Sequence, residues 1–216
     1  MDELVLASGQ VSIGFSYPQV ALYSAANGVV THSGVRDLAR GVSLNPQITV
    51  ANADNTLYLN NRASERGVPR FRSGTLGVTV DGLLVASEKM IMGIPNTSVE
   101  TVTVGTDTVS FNTYDEDQRI PYVSLGVIVK VQSNGNQYFL AWLYNKLRFQ
   151  QFDVPVTTEG QDIDWQTTAL SAGIFVDDTA KHSWKWFSDP LLTELEAYNA
   201  CRVALGGTAV AALPLI

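Results

Sequence analysis

Reactive side chains are scarce in this sequence. Its 216 residues hold one cysteine, Cys201, and two histidines, His32 and His182. A lone cysteine excludes an intramolecular disulfide framework and any cysteine-rich zinc site. Cys201 is read as a small apolar residue on a helix. The histidines lie far apart in polar, turn-like stretches, with no Ser-Gly elbow or His-x-x-x-His pair beside them. Both are read as solvated surface. No GxGxxG or Walker-type phosphate loop occurs. Asp115-Glu116-Asp117 and Asp162-x-Asp164 lack the spacing and turn glycine of an EF-hand loop and are read as solvated turn acids. The expectation is a non-enzyme, with no catalytic residues, no cofactor and no metal.

Charge is scarce as well. Asp, Glu, Lys and Arg make up 16% of the chain, against about a quarter in ordinary globular domains. So sparsely charged a monomer is sticky, which points to a surface that is normally covered. The net charge of −7 and pI near 4.7 argue against gripping a phosphate backbone, which needs clustered Lys and Arg. They suit a surface that DNA passes without adhering. No apolar run approaches the roughly 18–20 residues of a membrane span. Residues 1–5 lack the basic and apolar regions of a secretory signal. A soluble protein made in the cytoplasm, with no membrane partner, is expected.

What the sequence has in abundance is alternation. From 122 to 131 the odd positions Val123, Leu125, Val127, Val129 and Val131 are all apolar, the period of a strand with one face in a core. Asn134-Gly135 then supplies the two positive-φ residues of a type I′ hairpin turn. In the returning strand, 137–144, both faces are apolar: Tyr138, Leu140, Trp142 and Tyr144 on one, Phe139, Ala141 and Leu143 on the other. Such a strand is either central in a sandwich or half-covered by a partner chain.

The remaining chain reads as more strands around this hairpin. Residues 11–23 form a strand interrupted at Pro18, 34–39 a loop, and 39–44 a strand ending at Asn45-Pro46. The segment 45–73 is a long insertion rich in Asn and Arg, with apolar anchors; insertions of this length usually bind something or are disordered. Residues 82–92 read as a helix capped by Asp81 and stopped by Gly93. Residues 99–104 and 108–114 read as a hairpin. A change of apolar phase near Ala169-Leu170 predicts a β-bulge there, and 183–187 read as the last strand. Ser188-Asp189-Pro190 predicts the cap of a final helix running to about Leu205. Trp165, Trp184 and Trp186 are read as core or interface anchors rather than a sugar platform.

Several of these pieces, in order, resemble the major tail proteins of long-tailed bacteriophages. They are Pro121-Tyr122-Val123-Ser124-Leu125-Gly126, the turn at Ser133-Asn134-Gly135, Gln137 to Tyr144, and Lys146 to Phe149. Thr158-Glu159-Gly160-Gln161-Asp162-Ile163-Asp164-Trp165-Gln166-Thr167 also fits. Upstream, 17–23, Arg40-Gly41-Val42-Ser43-Leu44-Asn45-Pro46 and Thr56-Leu57-Tyr58-Leu59-Asn60-Asn61 fit in sequence. The likeness spans most of 14–187 and departs at the basic stretch 62–72 and at the C-terminus.

The resemblance implies a mainly β fold: a tail-tube β-sandwich or open barrel over 1–187, with one short flanking helix, a long stacking loop at 45–73 and a helical arm at 188–216. It implies hexameric rings stacked into a virion tail tube through which DNA travels, with tape measure and tail terminator or tip proteins as partners. On that reading Leu57, Tyr58, Arg62, Arg66, Arg70 and Arg72 reach the next ring. Tyr138, Leu140, Trp142 and Tyr144 meet the neighbouring subunit's sheet. Glu100, Asp107, Asp162 and Asp164 are candidate acids of the lumen. The alternatives are a non-polymerising tail terminator of the same fold and a β-sandwich carbohydrate-binding or adhesin module, which would expose Trp165 or Trp184.

Overall fold

The computed structural model describes residues 9–52, 56–116, 118–154, 156, 158 and 165–215. The fold is mainly β. Strands β1 (Val11–Ala26), β2 (Val29–Asp37), β3 (Gly41–Ala51), β4 (Thr56–Leu59), β5 (Arg62–Arg66) and β6 (Arg70–Val80) precede helix α1 (Val85–Met92). Then come β7 (Val99–Val104), β8 (Asp107–Asn112), β9 (Val123–Ser133), β10 (Asn136–Phe149), β11 (Thr168–Phe175), β12 (Lys185–Phe187) and helix α2 (Glu194–Ala204). The main sheet is antiparallel, in the order β2-β1-β9-β10-β11-β6-β3, with β12 also on β10; β4–β5 and β7–β8 are separate two-stranded ladders.

The sheet curls until its ends approach. Phe15 of β1 fills the space beside Gly41 of β3, where a Cβ would lie 2.4 Å from the Phe15 ring. The Leu38 N–H donates to the Pro18 carbonyl at 2.8 Å. Inside the curl lies one apolar core. It takes Val123, Leu125, Val127, Val129 and Val131 from β9, Leu76, Val78 and Val80 from β6, and Leu170, Ala172 and Ile174 from β11. Met90, Ile91 and Met92 of α1 complete it. Asn134 and Gly135 sit at φ 50° and 81°, the positive pair that the β9–β10 turn requires.

The outer face of β9–β10 has its own cover. Ile128 packs with Ala197 and Tyr198 of α2, and Phe139, Ala141, Leu191, Val210 and Leu213 surround them. Ala21, Leu143 and Leu205 form a second such cluster. Gly126 lets α2 come close, since a Cβ there would lie 2.9 Å from the Cys201 Cβ. The C-terminal segment is thus packed onto the sheet.

Several sequence expectations need correction. Residues 34–37 are strand, not loop, because β2 runs to Asp37 and is held by β1 across the Asn27-Gly28 turn. The strand expected to end at Asn45-Pro46 continues to Ala51, its whole length laddered to β6. Pro18 does interrupt β1: the register slips between Ser16 and Gln19, with Tyr17 at φ 45°.

Helix α1 begins at Val85 without a side-chain cap. Asp81 instead accepts from the Arg40 backbone N–H at 3.0 Å and pairs with its guanidinium. No register shift occurs in the β11–β6 ladder. Residues 165–167 are not strand, so there is no phase change for a bulge at Ala169-Leu170 to absorb. The phase change lies in β10, between Tyr144 and Leu147, where the core-facing positions switch from even to odd. Finally, α2 starts at Glu194. Thr193 and Glu196 form its capping box, while Ser188 Oγ accepts from the Ala141 N–H at 2.9 Å. The Ser188-Asp189-Pro190 signal is spent on the edge of β10.

Candidate functional site

The β4–β5 hairpin turns at Asn60-Asn61, both at positive φ (50° and 62°), a conformation that Asn tolerates better than most residues. In its ladder Leu59 faces Arg62 and Leu57 faces Glu65, so these four share one face. Leu57, Tyr58 and Leu59 are exposed, as are Arg62, Arg66, Arg70 and Arg72. Among the described residues the ion pairs are Arg40–Asp81 and Lys146–Asp178, so none of the four hairpin arginines is engaged in one. Below the hairpin Phe71 turns inward and stacks on Trp184 with centroids 5.0 Å apart. Phe71 thereby orients Arg70 and Arg72 outward.

The β7–β8 hairpin is pinned at its base. Tyr114 Oη donates to Glu88 Oε1 at 2.6 Å, and Lys89 Nζ donates to Asn112 Oδ1 at 3.1 Å. Burial, then the Glu88 carboxylate, holds the Tyr114 phenol well above its ordinary pKa. Beyond that base the strands project, exposed on both faces apart from Val99. The register pairs Glu100 with Phe111, Val102 with Val109 and Val104 with Asp107. Glu100 and Asp107 therefore share a face with four apolar side chains, and the opposite face carries Thr101, Thr103, Thr108 and Ser110. The candidate lumen acids Asp162 and Asp164 lie outside the described residues.

The aromatic row of β10 faces the main core. Tyr144 is fully buried, with its phenol pushed up to about 12 by burial, and offers no surface to a neighbour. Tyr138, Leu140 and Trp142 are half-buried against the same core. The opposite row, Phe139, Ala141 and Leu143, is covered by α2 and the tail. Both faces are therefore largely covered within the chain, with Tyr138, Leu140 and Trp142 left partly open. Lys185 Nζ sits 3.2 Å from the Trp142 ring centroid, and burial brings its pKa down to about 8.

Sequence reasoning misplaced one histidine. His182 is exposed as expected, but His32 is half-buried, with its Nε2 unpartnered among the described residues and its pKa lowered by burial. Its polar neighbours gave no sign of this, because the cover comes from the end of α2. A Cβ on Gly206 would lie 2.7 Å from the His32 carbonyl oxygen. His32, Asn145, Asp177 and Trp186 line a cavity of about 390 Å³.

Of the tryptophans, Trp165 is 83% exposed and Trp184 is stacked inside. Cys201 is buried, its thiol pushed up to about 12 by burial and so kept protonated. Among the described residues no group of three or more His, Cys, Asp or Glu could hold a metal ion, and no helix is long and apolar enough to cross a membrane. Compared with known proteins, the chain matches no protein-family model and no curated sequence.

Proposed function

We propose that this chain is a structural virion protein that assembles as stacked hexameric rings into the tail tube of a long-tailed bacteriophage. The observation that carries the reading is the pair of projecting hairpins. Both display apolar side chains that no described residue of the chain covers, on a protein with only 16% charged residues. Surfaces of that kind are found where another molecule completes them. Leu57, Tyr58, Arg62, Arg66, Arg70 and Arg72 reach the next ring, and the half-exposed Tyr138, Leu140 and Trp142 serve within a ring. Tape measure and terminator or tip proteins are the expected partners. The net charge of −7 suits a conduit that repels DNA phosphates in transit.

Negative-stain microscopy of the purified chain tests this directly. Rings and long tubes are expected; tubes also exclude a non-polymerising terminator, and a persistent monomer overturns the reading. Replacing residues 56–66 by a short Gly-Ser linker should leave a folded chain that does not polymerise. Tubes of normal length from that variant would sink the stacking role. The exposure of Trp165 is what the second reading, a carbohydrate-binding module, requires. That reading predicts tryptophan fluorescence that responds to sugars and is lost in Trp165→Ala.

A further inference from the structure

The two projecting hairpins complement each other. On β7–β8 the residues Val102, Val104, Val109 and Phe111 are 49, 62, 41 and 54% exposed, and they form one apolar face bounded by Glu100 and Asp107. The stretch 99–116 carries Glu100, Asp107, Asp115 and Glu116 and no Lys or Arg. On β4–β5 the exposed Leu57 and Leu59 share a face with Arg62 and Glu65, and the stretch 56–72 carries four arginines against that one acid. One hairpin is apolar in a stretch of acidic charge; the other is apolar in a stretch of net basic charge.

They also grow from opposite ends of the β3–β6 ladder. The β3–β6 ladder runs from Gly41↔Val80 to Ala51↔Arg70. The β4–β5 hairpin grows from the Ala51/Arg70 end, whereas α1 and then β7–β8 follow from the Val80 end. A ladder of that length spans about 35 Å at roughly 3.3 Å per residue. The roots of the two hairpins therefore lie a ladder's length apart. Two unlike surfaces make a head-to-tail contact, which propagates from copy to copy instead of closing as a symmetric dimer does.

We propose that the apolar face of β7–β8 is the seat for the β4–β5 hairpin of a second copy of this chain. Leu57 and Leu59 lie on Val102, Val104, Val109 and Phe111, and Arg62 lies against the acidic border of Glu100 and Asp107. This rests on the tube reading and deepens it by naming the surface that receives the stacking hairpin. It also moves Glu100 and Asp107 from the lumen to the junction between copies. Apolar burial supplies the affinity, and the charged border sets direction and speeds encounter.

Complementary charge reversal tests it. One full-length variant carries Glu100→Arg with Asp107→Arg; the other carries Arg62→Glu. All three sites are exposed, so both variants should keep wild-type circular dichroism. In sedimentation velocity, each alone should need at least tenfold more protein than wild type to assemble. An equimolar mixture should assemble near the wild-type concentration, because every junction in an alternating array then pairs opposite charges. Leu59→Cys with Val104→Cys in one chain should give a ladder of disulfide-linked oligomers on oxidation.

If wild type forms tubes and both reversal variants do so equally well, or if the mixture gains nothing, the seat is wrong and the tube reading stands. If wild type never assembles, the tube reading falls and this proposal falls with it. Should a reversal variant misfold, the cysteine pair decides: tubes without the linked ladder overturn the proposal.

Discussion

The β9–β10 and β7–β8 hairpins share a pattern and differ in fate. Both alternate apolar side chains across a tight turn. β9–β10 is covered on both faces, by the core beneath and by α2 above. β7–β8 projects with its apolar face open. An apolar stripe says that a face seeks cover, not whether the chain itself supplies it. The hairpin richest in aromatics turns out to be the one already satisfied. The modest one, with threonines on its other face, is left wanting a partner.

The same change made in each hairpin should separate the two fates most widely. Tyr144→Ala empties a fully buried site and should cost about 3–5 kcal/mol, the range for large aromatic truncations in a core, read by urea unfolding of the monomer. Phe111→Ala removes an exposed ring and should leave monomer stability within about 0.5 kcal/mol while weakening assembly. A stability loss at Phe111 comparable to that at Tyr144 would show that β7–β8 is covered within its own chain.

Next in size is the contact between sheet and helix. Gly126→Ala places a Cβ 2.9 Å from the Cys201 Cβ, so α2 must shift, at a cost of about 1–3 kcal/mol. Ser110→Ala on the polar face of β7–β8 should change nothing measurable in the same unfolding experiment. Thr193→Ala removes one half of the capping box that starts α2 and should cost about 1 kcal/mol. Because α2 packs on β1, β9 and β10 and not on β7–β8, hydrogen exchange should speed up at Ile128 and Leu143 and not at Val102. Equal acceleration in both hairpins would mean that the lid is not local.

How much of this was legible in the sequence depended on where each signal lives. The β9–β10 hairpin was readable because Asn134-Gly135 demands positive φ and the odd positions of β9 alternate without a break. Strand β2 was missed because Thr31, Ser33 and Gly34 break any apolar alternation; its strand character comes from pairing with β1. The start of α2 was read from Ser188-Asp189-Pro190 alone. Ser188 is claimed by β10, and Thr193 and Glu196 cap the helix instead. What lies over each face was not legible, since alternation assigns a side chain to a face and is silent on the element packed above it.

The two histidines make the smallest and cleanest comparison, one under the lid and one outside it. Burial holds the folded-state pKa of His32 below its ordinary value of 6.5. The unfolded chain therefore takes up this proton first as the pH falls. The stability linked to His32 is full above about pH 6.5 and is lost as the pH drops through that value toward the lower folded-state pKa. His32→Gln should flatten the acid side of the stability profile below about pH 6.5. Thermal unfolding across that range would show the difference from wild type. An unchanged slope in His32→Gln would mean that α2 does not shield His32 from water, and that the lid over β9–β10 stops short of β2.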